Sequence, residues 1–325
     1  MKVSILIPSF NRFDFLKNAV QCAQNQTYKD IEIIVCDDAS THDIVQQDKW
    51  ISTVMENDSR VIYCKSSVNL GFVENINRGL KKCQGDFIHI LFDDDTIHPR
   101  FIEVAVNKLL EDKDLAFVQL GAYNSIEDGN ITSYHPRLSG KIHKYSYLYY
   151  LHPEFTGYLL WSISPCNYVF RNKKKLMRSS MYDGFQSRQL KRGSGYDVLF
   201  ILDNFDDQEY FYHIQEHLCT FNSHSKSCSI SFPEEVYSDT KKGIIQYFSE
   251  SPCYIQCEIQ SYLSNMLYVN QFEIKDRMDF IMRLVYKHNI SIYELQDILY
   301  KNKSFNVPWK RLRDILDTDI KLDIN

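Results

Sequence analysis

The sequence predicts an α/β fold, a mostly parallel sheet with helices on both faces, followed by a helical C-terminal region. Over the first 120 residues, short apolar runs of strand length alternate with segments of helical period. That alternation builds parallel sheets, because parallel neighbours need a crossover between them. The runs are also continuously apolar, as strands buried on both faces are. Each ends in a polar loop, and in open α/β sheets the ligand crevice lies beyond the carboxyl ends of the strands.

Val3 to Ile7 is the first run, closed by Pro8, which cannot donate to a strand ladder. Leu16, Val20 and Ala23 follow at i, i+4, i+7 and predict a helix. Ile31 to Cys36 is a second buried strand, ended by Asp37-Asp38; Asp48 to Glu56 is helical, and Val61 to Cys64 is a third strand. Phe72 to Lys82 forms a helix, and Phe87 to Phe92 a fourth strand running into Asp93-Asp94-Asp95. Between residues 120 and 232 the pattern is less regular, with a strand through Asn167 to Phe170. From 233 to 325, Ile255, Ile259, Leu263 and Leu267 recur every fourth residue and predict helix, which sets a boundary near Phe232-Pro233. The expected division is therefore 1–120, 121–232 and 233–325.

The chain has 325 residues, enough for one large domain or a domain with an appendage. A net charge of −5 argues against a general nucleic-acid binder. No uninterrupted apolar stretch reaches the length of a membrane span, and the first residues lack the pattern of a secretory leader. Nine cysteines without paired CxxC spacing read as reduced thiols, so a cytoplasmic protein is expected. The 22 tyrosines and 20 phenylalanines suit a carbohydrate-handling surface and an ordinary core equally.

The acidic triplet carries the chemistry. Three carboxylates side by side repel, and desolvating them is costly without a cation. Oxygen ligands of this kind suit Mg²⁺ or Mn²⁺ and leave coordination positions open for substrate phosphates. No glycine-rich phosphate loop follows the first strand: Ser9-Phe10-Asn11-Arg12 contains no glycine, which disfavours a nucleotidyltransferase and a dinucleotide-dependent oxidoreductase.

Taken together, Val3 to Arg12, Asp37-Asp38-Ala39-Ser40, Asn69-Leu70-Gly71, Gly85-Asp86 and the acidic triplet resemble, in order and spacing, glycosyltransferase family 2. The resemblance is strongest over residues 1 to 120 and continues more weakly to about 230. It implies the GT-A fold, a Rossmann-like sheet flanked by helices, and an inverting sugar transfer from a nucleotide-sugar donor. Pro8, Ser9 and Phe10 would then face the base and ribose, Asn69 and Gly71 would close on the nucleotide, and Asp38 would accept from a base imino N–H. Uracil and thymine carry that proton, so a UDP-sugar is favoured; Asp37 is assigned to supporting the turn. Counting from Gly85 makes Asp94 the principal metal ligand, with Asp95 beside it and Asp93 in the variable middle position. A literal Asp-X-Asp reading would use Asp93 and Asp95. His224 matches a histidine that approaches the metal or diphosphate in relatives. At Ile76 many members have an arginine, so phosphate neutralisation would fall to the metal or to Arg12.

An inverting transfer needs a base beside the acceptor hydroxyl. The resemblance places it at Asp197, with Asp183, Asp203, Asp206 and Asp207 as competitors. It also implies a glycan or lipid-linked glycan acceptor in bacterial surface-polysaccharide synthesis. A nucleotide-sugar-binding protein without transfer activity is the alternative of another class. The basic stretch Pro308 to Arg313 could rest peripherally on the inner face of the cytoplasmic membrane, or pack on its own domain or on a homodimer partner.

Overall fold

Val3–Ser9 (β1) is buried at every position, as is Ile31–Asp37 (β2). Full burial on both faces requires helices above and below the sheet. In this computed structural model Phe13–Gln24 (α1) buries Leu16, Ala19, Val20 and Ala23, the face its periodicity predicts. Ile44–Asn57 (α2) precedes Val61–Lys65 (β3), whose mixed burial is that of a sheet edge. Phe72–Leu80 (α3) leads to Phe87–Ile90 (β4). Thr96–Ile97 (β5), Phe101–Glu111 (α4) and Leu115–Ile126 (β6) follow. Ile131–Tyr134 (β7), Gly140–His143 (β8), a 3₁₀ turn at Pro165–Asn167, Tyr168–Arg171 (β9), Tyr196–Asp203 (α5) and Tyr210–Ser223 (β10) complete the order.

The described residues are 1–126, 131–134, 140–143, 164–178, 195–206 and 209–225, with Ser227 and Ser231. The chain divides into two compact units, Met1–Ile142 with Leu160–Tyr247, and His143–Leu159 with Phe248–Asn325. The described elements belong to the first, apart from His143 at the end of β8. The helical C-terminal region expected over 233–325, the basic stretch at Pro308 and the candidates Asp183 and Asp207 lie outside the described residues. No described helix is long and apolar enough to cross a membrane.

The strands form one sheet in the order β3-β2-β1-β4-β9-β6-β10-β5, with β7 on β6 and β8 on β10. From β3 to β4 all pairings are parallel. Beyond β4 the sheet is mixed: β9 runs antiparallel to both β4 and β6, while β10 runs parallel to β6. The chain thus departs to opposite sides of β1, to β2 on one side and β4 on the other. That reversal opens a crevice at the carboxyl ends of β1 and β4. Pairing between β1 and β4 stops at Leu6↔Ile90, so Pro8 stands where that ladder has already ended.

Two long strands are not visible as strands in the sequence, and the register explains why. β10 shifts register against β6 between Ile214 and His217 and again before Cys219, which breaks its two-residue alternation. Gly121 makes room for this bulge: a Cβ there would lie 2.7 Å from the Gln215 carbonyl oxygen. The described aromatics of the second half are mostly core. Phe117 packs against Tyr168, Phe170, Phe205 and Phe211, all fully buried.

Candidate active site

The acidic turn leaves the end of β4 and folds back on itself, with Asp95 N–H donating to the Phe92 carbonyl. Asp93 and Asp95 are buried, and Asp94 is the more accessible of the three. Three side chains converge on them, and a fourth packs behind. Arg12, between β1 and α1, places Nη1 at 2.8 Å from Asp94 Oδ2 and 3.2 Å from Asp93 Oδ1. His224, just past β10, brings Nε2 to 3.2 Å from the same Asp94 Oδ2. Asn222 donates its backbone N–H to Asp95 Oδ1 at 3.1 Å and its Nδ2 to the Asp94 carbonyl at 2.9 Å. Phe15 of α1 stacks on His224 with ring centres 4.8 Å apart and an interplanar angle of 16°. Thus Arg12, Asp93, Asp94, Asp95 and His224 come together, although 130 residues separate Asp94 from His224.

Burial raises the Asp93 pKa to about 7, with the Asp94 charge adding and Arg12 opposing. Burial and then the Asp94 charge push Asp95 up as well. Both shifts have the sign expected of carboxylates that lack enough positive charge nearby. Asp93 Oδ2 and Ser9 Oγ are buried without a hydrogen-bond partner.

The acidic turn and His224 face a cleft of about 580 Å³, lined also by Phe15, Asn18, Thr96, Ser125, Ile126, Asn222 and Ser223. Among the described residues no three His, Cys, Asp or Glu side chains converge as a complete metal cage. Asp94 with His224 forms an O,N pair opening on the cleft. Two protein ligands suffice for Mg²⁺ or Mn²⁺ when substrate phosphates and water complete the shell. The donor set therefore fits such an ion through Asp94 and His224, while Asp95 is directed towards Asn222.

The nucleotide-side loops are held from within. Asp37 is fully buried: Oδ1 accepts from Ser40 N–H at 3.0 Å, and Oδ2 from Tyr63 OH at 2.7 Å and Gln47 Nε2 at 3.1 Å. It supports the turn. Asp38 clamps the next loop, accepting from Leu70 N–H at 2.7 Å with Oδ1 and from Gly71 N–H at 2.8 Å with Oδ2. Asn69 Nδ2 reaches the Asp38 carbonyl at 3.5 Å, and Gly71 takes a φ of 85°, a conformation natural to glycine. Each Asp38 oxygen keeps a second lone pair for a base N–H. Removing this carboxylate leaves two amides without their acceptor, and an orphaned buried donor costs about 1–3 kcal/mol. Asp38→Ala is therefore expected to lower unfolding stability in urea. An unchanged midpoint would show that the clamp is dispensable.

Phe10 is 43% exposed at the crevice mouth. Ile76 is fully buried in α3, and the nearby Arg78 is committed to the carbonyls of Asp37 and Cys64. The basic run is committed too: Lys173 pairs with Asp206 and Glu209, Lys174 with the Cys83 carbonyl, and Lys175 with Asp206.

Asp197 stands in the first turn of α5, after Gly195 in the left-handed region with φ 79°. It does not join the hydrogen bonds of the acidic turn; its Oδ1 accepts from Val198 N–H at 2.8 Å. Burial raises its pKa to about 6, within the range suited to a base working near neutrality. Asp203 ends the same helix in a two-pronged ion pair with Arg178, and Asp206 pairs with the lysines, so both have structural duties. Phe15 and Asn222 complete the site without a sequence signal of their own, since a helix phenylalanine and a strand-end asparagine have many ordinary uses.

A family model described as Glycosyl transferase family 2 matches residues 4–176, more than half of the chain. Chondroitin synthase of Escherichia coli is 32% identical over 131 residues, 40% of this chain and 18% of the relative. The GalNAc(5)-diNAcBac-PP-undecaprenol beta-1,3-glucosyltransferase of Campylobacter jejuni is 31% identical over 142 residues, 43% of each chain. The aligned region thus spans less than half the length of these curated relatives. Among solved structures, S. aureus TarS 1-349 in complex with UDP superposes with a TM-score of 0.58 at 13% identity, covering 92% of this chain and 78% of that one. Its complex with UDP-GlcNAc gives 0.56 at 15% identity, covering 88% and 82%. At these identities the likeness shows the fold, GT-A.

Proposed function

Because the chain belongs to glycosyl transferase family 2, we propose that it transfers a sugar, with inversion, from a UDP-sugar to a hydroxyl of a glycan or lipid-linked glycan in surface-polysaccharide synthesis. The observation that carries this reading is the convergence of Arg12 and His224 on Asp94, which lines a cleft at the strand ends where the sheet order reverses. The printed names of the relatives, a chondroitin synthase and an undecaprenol-linked glucosyltransferase, support the acceptor class. The UDP and UDP-GlcNAc complexes of TarS support the donor class.

Each residue has a task in the reaction. Pro8, Ser9 and Phe10 line the mouth for base and ribose. Asp38 holds the loop of Asn69 and Gly71 closed and offers its free lone pairs to the base imino N–H. Asp94 and His224, with Asp95 and Asp93 behind them, would hold Mn²⁺ or Mg²⁺, which when bound stabilises charge developing on the leaving diphosphate. Arg12 adds a permanent positive charge on the same side. Asp197 accepts the proton of the acceptor hydroxyl, whose oxygen attacks the anomeric carbon from the face opposite the diphosphate. The bond from that carbon to the diphosphate oxygen breaks and UDP leaves, with no covalent enzyme intermediate.

A thermal-shift panel of UDP-, TDP- and GDP-sugars, each with and without Mn²⁺, tests the reading. A ligand at a hundred times its Kd stabilises the fold by about 2.7 kcal/mol, so a UDP-sugar with Mn²⁺ should raise the midpoint by several degrees. A panel with no metal-dependent hit would remove the central claim.

A further inference from the structure

We propose that Arg12 is the resident counter-ion of the acidic turn, and that its guanidinium passes from Asp94 to the donor diphosphate when a divalent cation and the nucleotide bind together. The inference rests on the donor-site reading above and adds to it a coupling between metal and nucleotide.

The geometry that points here is the crowding of one oxygen. Asp94 Oδ2 accepts from Arg12 Nη1 at 2.8 Å and lies 3.2 Å from His224 Nε2. This is the oxygen of the O,N pair that a metal would use. A dication placed there would have a guanidinium as its immediate neighbour. Arginine cannot relieve that repulsion by losing a proton, so the side chain has to move. It has somewhere to go: it is 29% exposed, on the loop that leads into α1. Among the described residues no other lysine or arginine pairs with the acidic turn. Arg78 is committed to the Asp37 and Cys64 carbonyls, and Lys173 and Lys175 to Asp206. Arg12, held by Asp93 and Asp94, is therefore the cation that an arriving diphosphate would draw away.

Two consequences follow, of opposite sign. Without nucleotide, Arg12 opposes metal binding; with nucleotide, it favours the ternary complex. By linkage, metal and UDP each tighten the other's binding by the same factor.

The test is Mn²⁺ binding to the full chain, followed by the electron paramagnetic resonance of free Mn²⁺, with and without UDP. Arg12→Met is expected to bind Mn²⁺ alone about tenfold more tightly than the wild type, within the usual range of coupling effects. Its UDP affinity in saturating Mn²⁺ should fall by about tenfold. Arg12→Lys, which keeps the charge, should bind Mn²⁺ alone as the wild type does. If Arg12→Met unfolds, Arg12→Gln makes the same measurement with a polar side chain in place of the cation. Mn²⁺ binding that is unchanged or weaker in the charge-free variants would overturn the proposal while leaving the donor site standing. Unchanged UDP affinity would overturn the transfer of the guanidinium. Failure of every variant and the wild type to bind Mn²⁺, even with UDP, would overturn the metal-assisted reading itself.

Discussion

Replacing Asp94 with alanine is expected to abolish sugar transfer and the metal-dependent part of UDP binding together. Asp94 is the accessible member of the triplet and the acceptor shared by Arg12 and His224. Its loss removes the oxygen of the O,N pair, so charge on the leaving diphosphate goes unstabilised. Losing one group that stabilises developing charge costs about a hundred- to a thousandfold in rate, and here the cation is lost as well. The fold should survive, because Arg12 keeps Asp93 and Asp95 keeps Asn222. Transfer assays with UDP titration at saturating Mn²⁺ check this. Retention of a tenth of wild-type turnover would move the metal site elsewhere, with Asp95 as the first alternative.

Asp197→Asn should separate chemistry from binding. The amide is nearly isosteric but cannot take a proton, so transfer should fall by about a hundred- to ten-thousandfold while donor affinity stays near the wild-type value. The pH profile adds a second readout. Burial raises the Asp197 pKa to about 6 from the ordinary carboxylate value. The base works only when deprotonated, so the wild-type rate should decline as pH falls through about 6, rather than near the usual value of about 4. The residual activity of Asp197→Asn should lack this acid limb. If the limb persists there, the titrating group is another carboxylate, and Asp93, raised to about 7, is the candidate.

The half of the fold built from alternating strands and helices is legible in the sequence, because each strand from β1 to β4 is a compact apolar run ended by polar residues. α2 begins at Ile44, after Asp43 in a left-handed conformation, rather than near Asp48; Val45, 79% exposed, hides the amphipathic pattern. β10 is illegible for another reason: the bulge around Gln215 and Glu216 interrupts the only periodicity a strand offers. Within the site, the acidic turn, the paired aspartates after β2 and the helix start at Asp197 are local features and can be read as such. The approach of Arg12 to Asp94 spans 82 residues, and that of Asn222 to Asp95 spans 127. Contacts of that range are made by the sheet order, which no local pattern encodes. A lysine run such as 173–175 is usually a solvated face, and here Asp206 and Glu209 occupy Lys173 and Asp206 also pairs with Lys175.

The late position of β10 in the chain sets a timetable for the nascent protein. The crevice walls from β1 to the acidic turn are synthesised within the first 95 residues, and pairing among β1, β2, β3 and β4 needs nothing made later. Asn222 and His224 emerge from the ribosome more than a hundred residues afterwards. Until they dock, Asp95 lacks its backbone donor and Asp94 its imidazole neighbour, so a half-made chain carries a nucleotide crevice with an unfinished floor. Closure of distant segments is the slow part of folding such sheets. Competence for chemistry therefore arrives in one late step, after the sheet has been completed across β6 and β10.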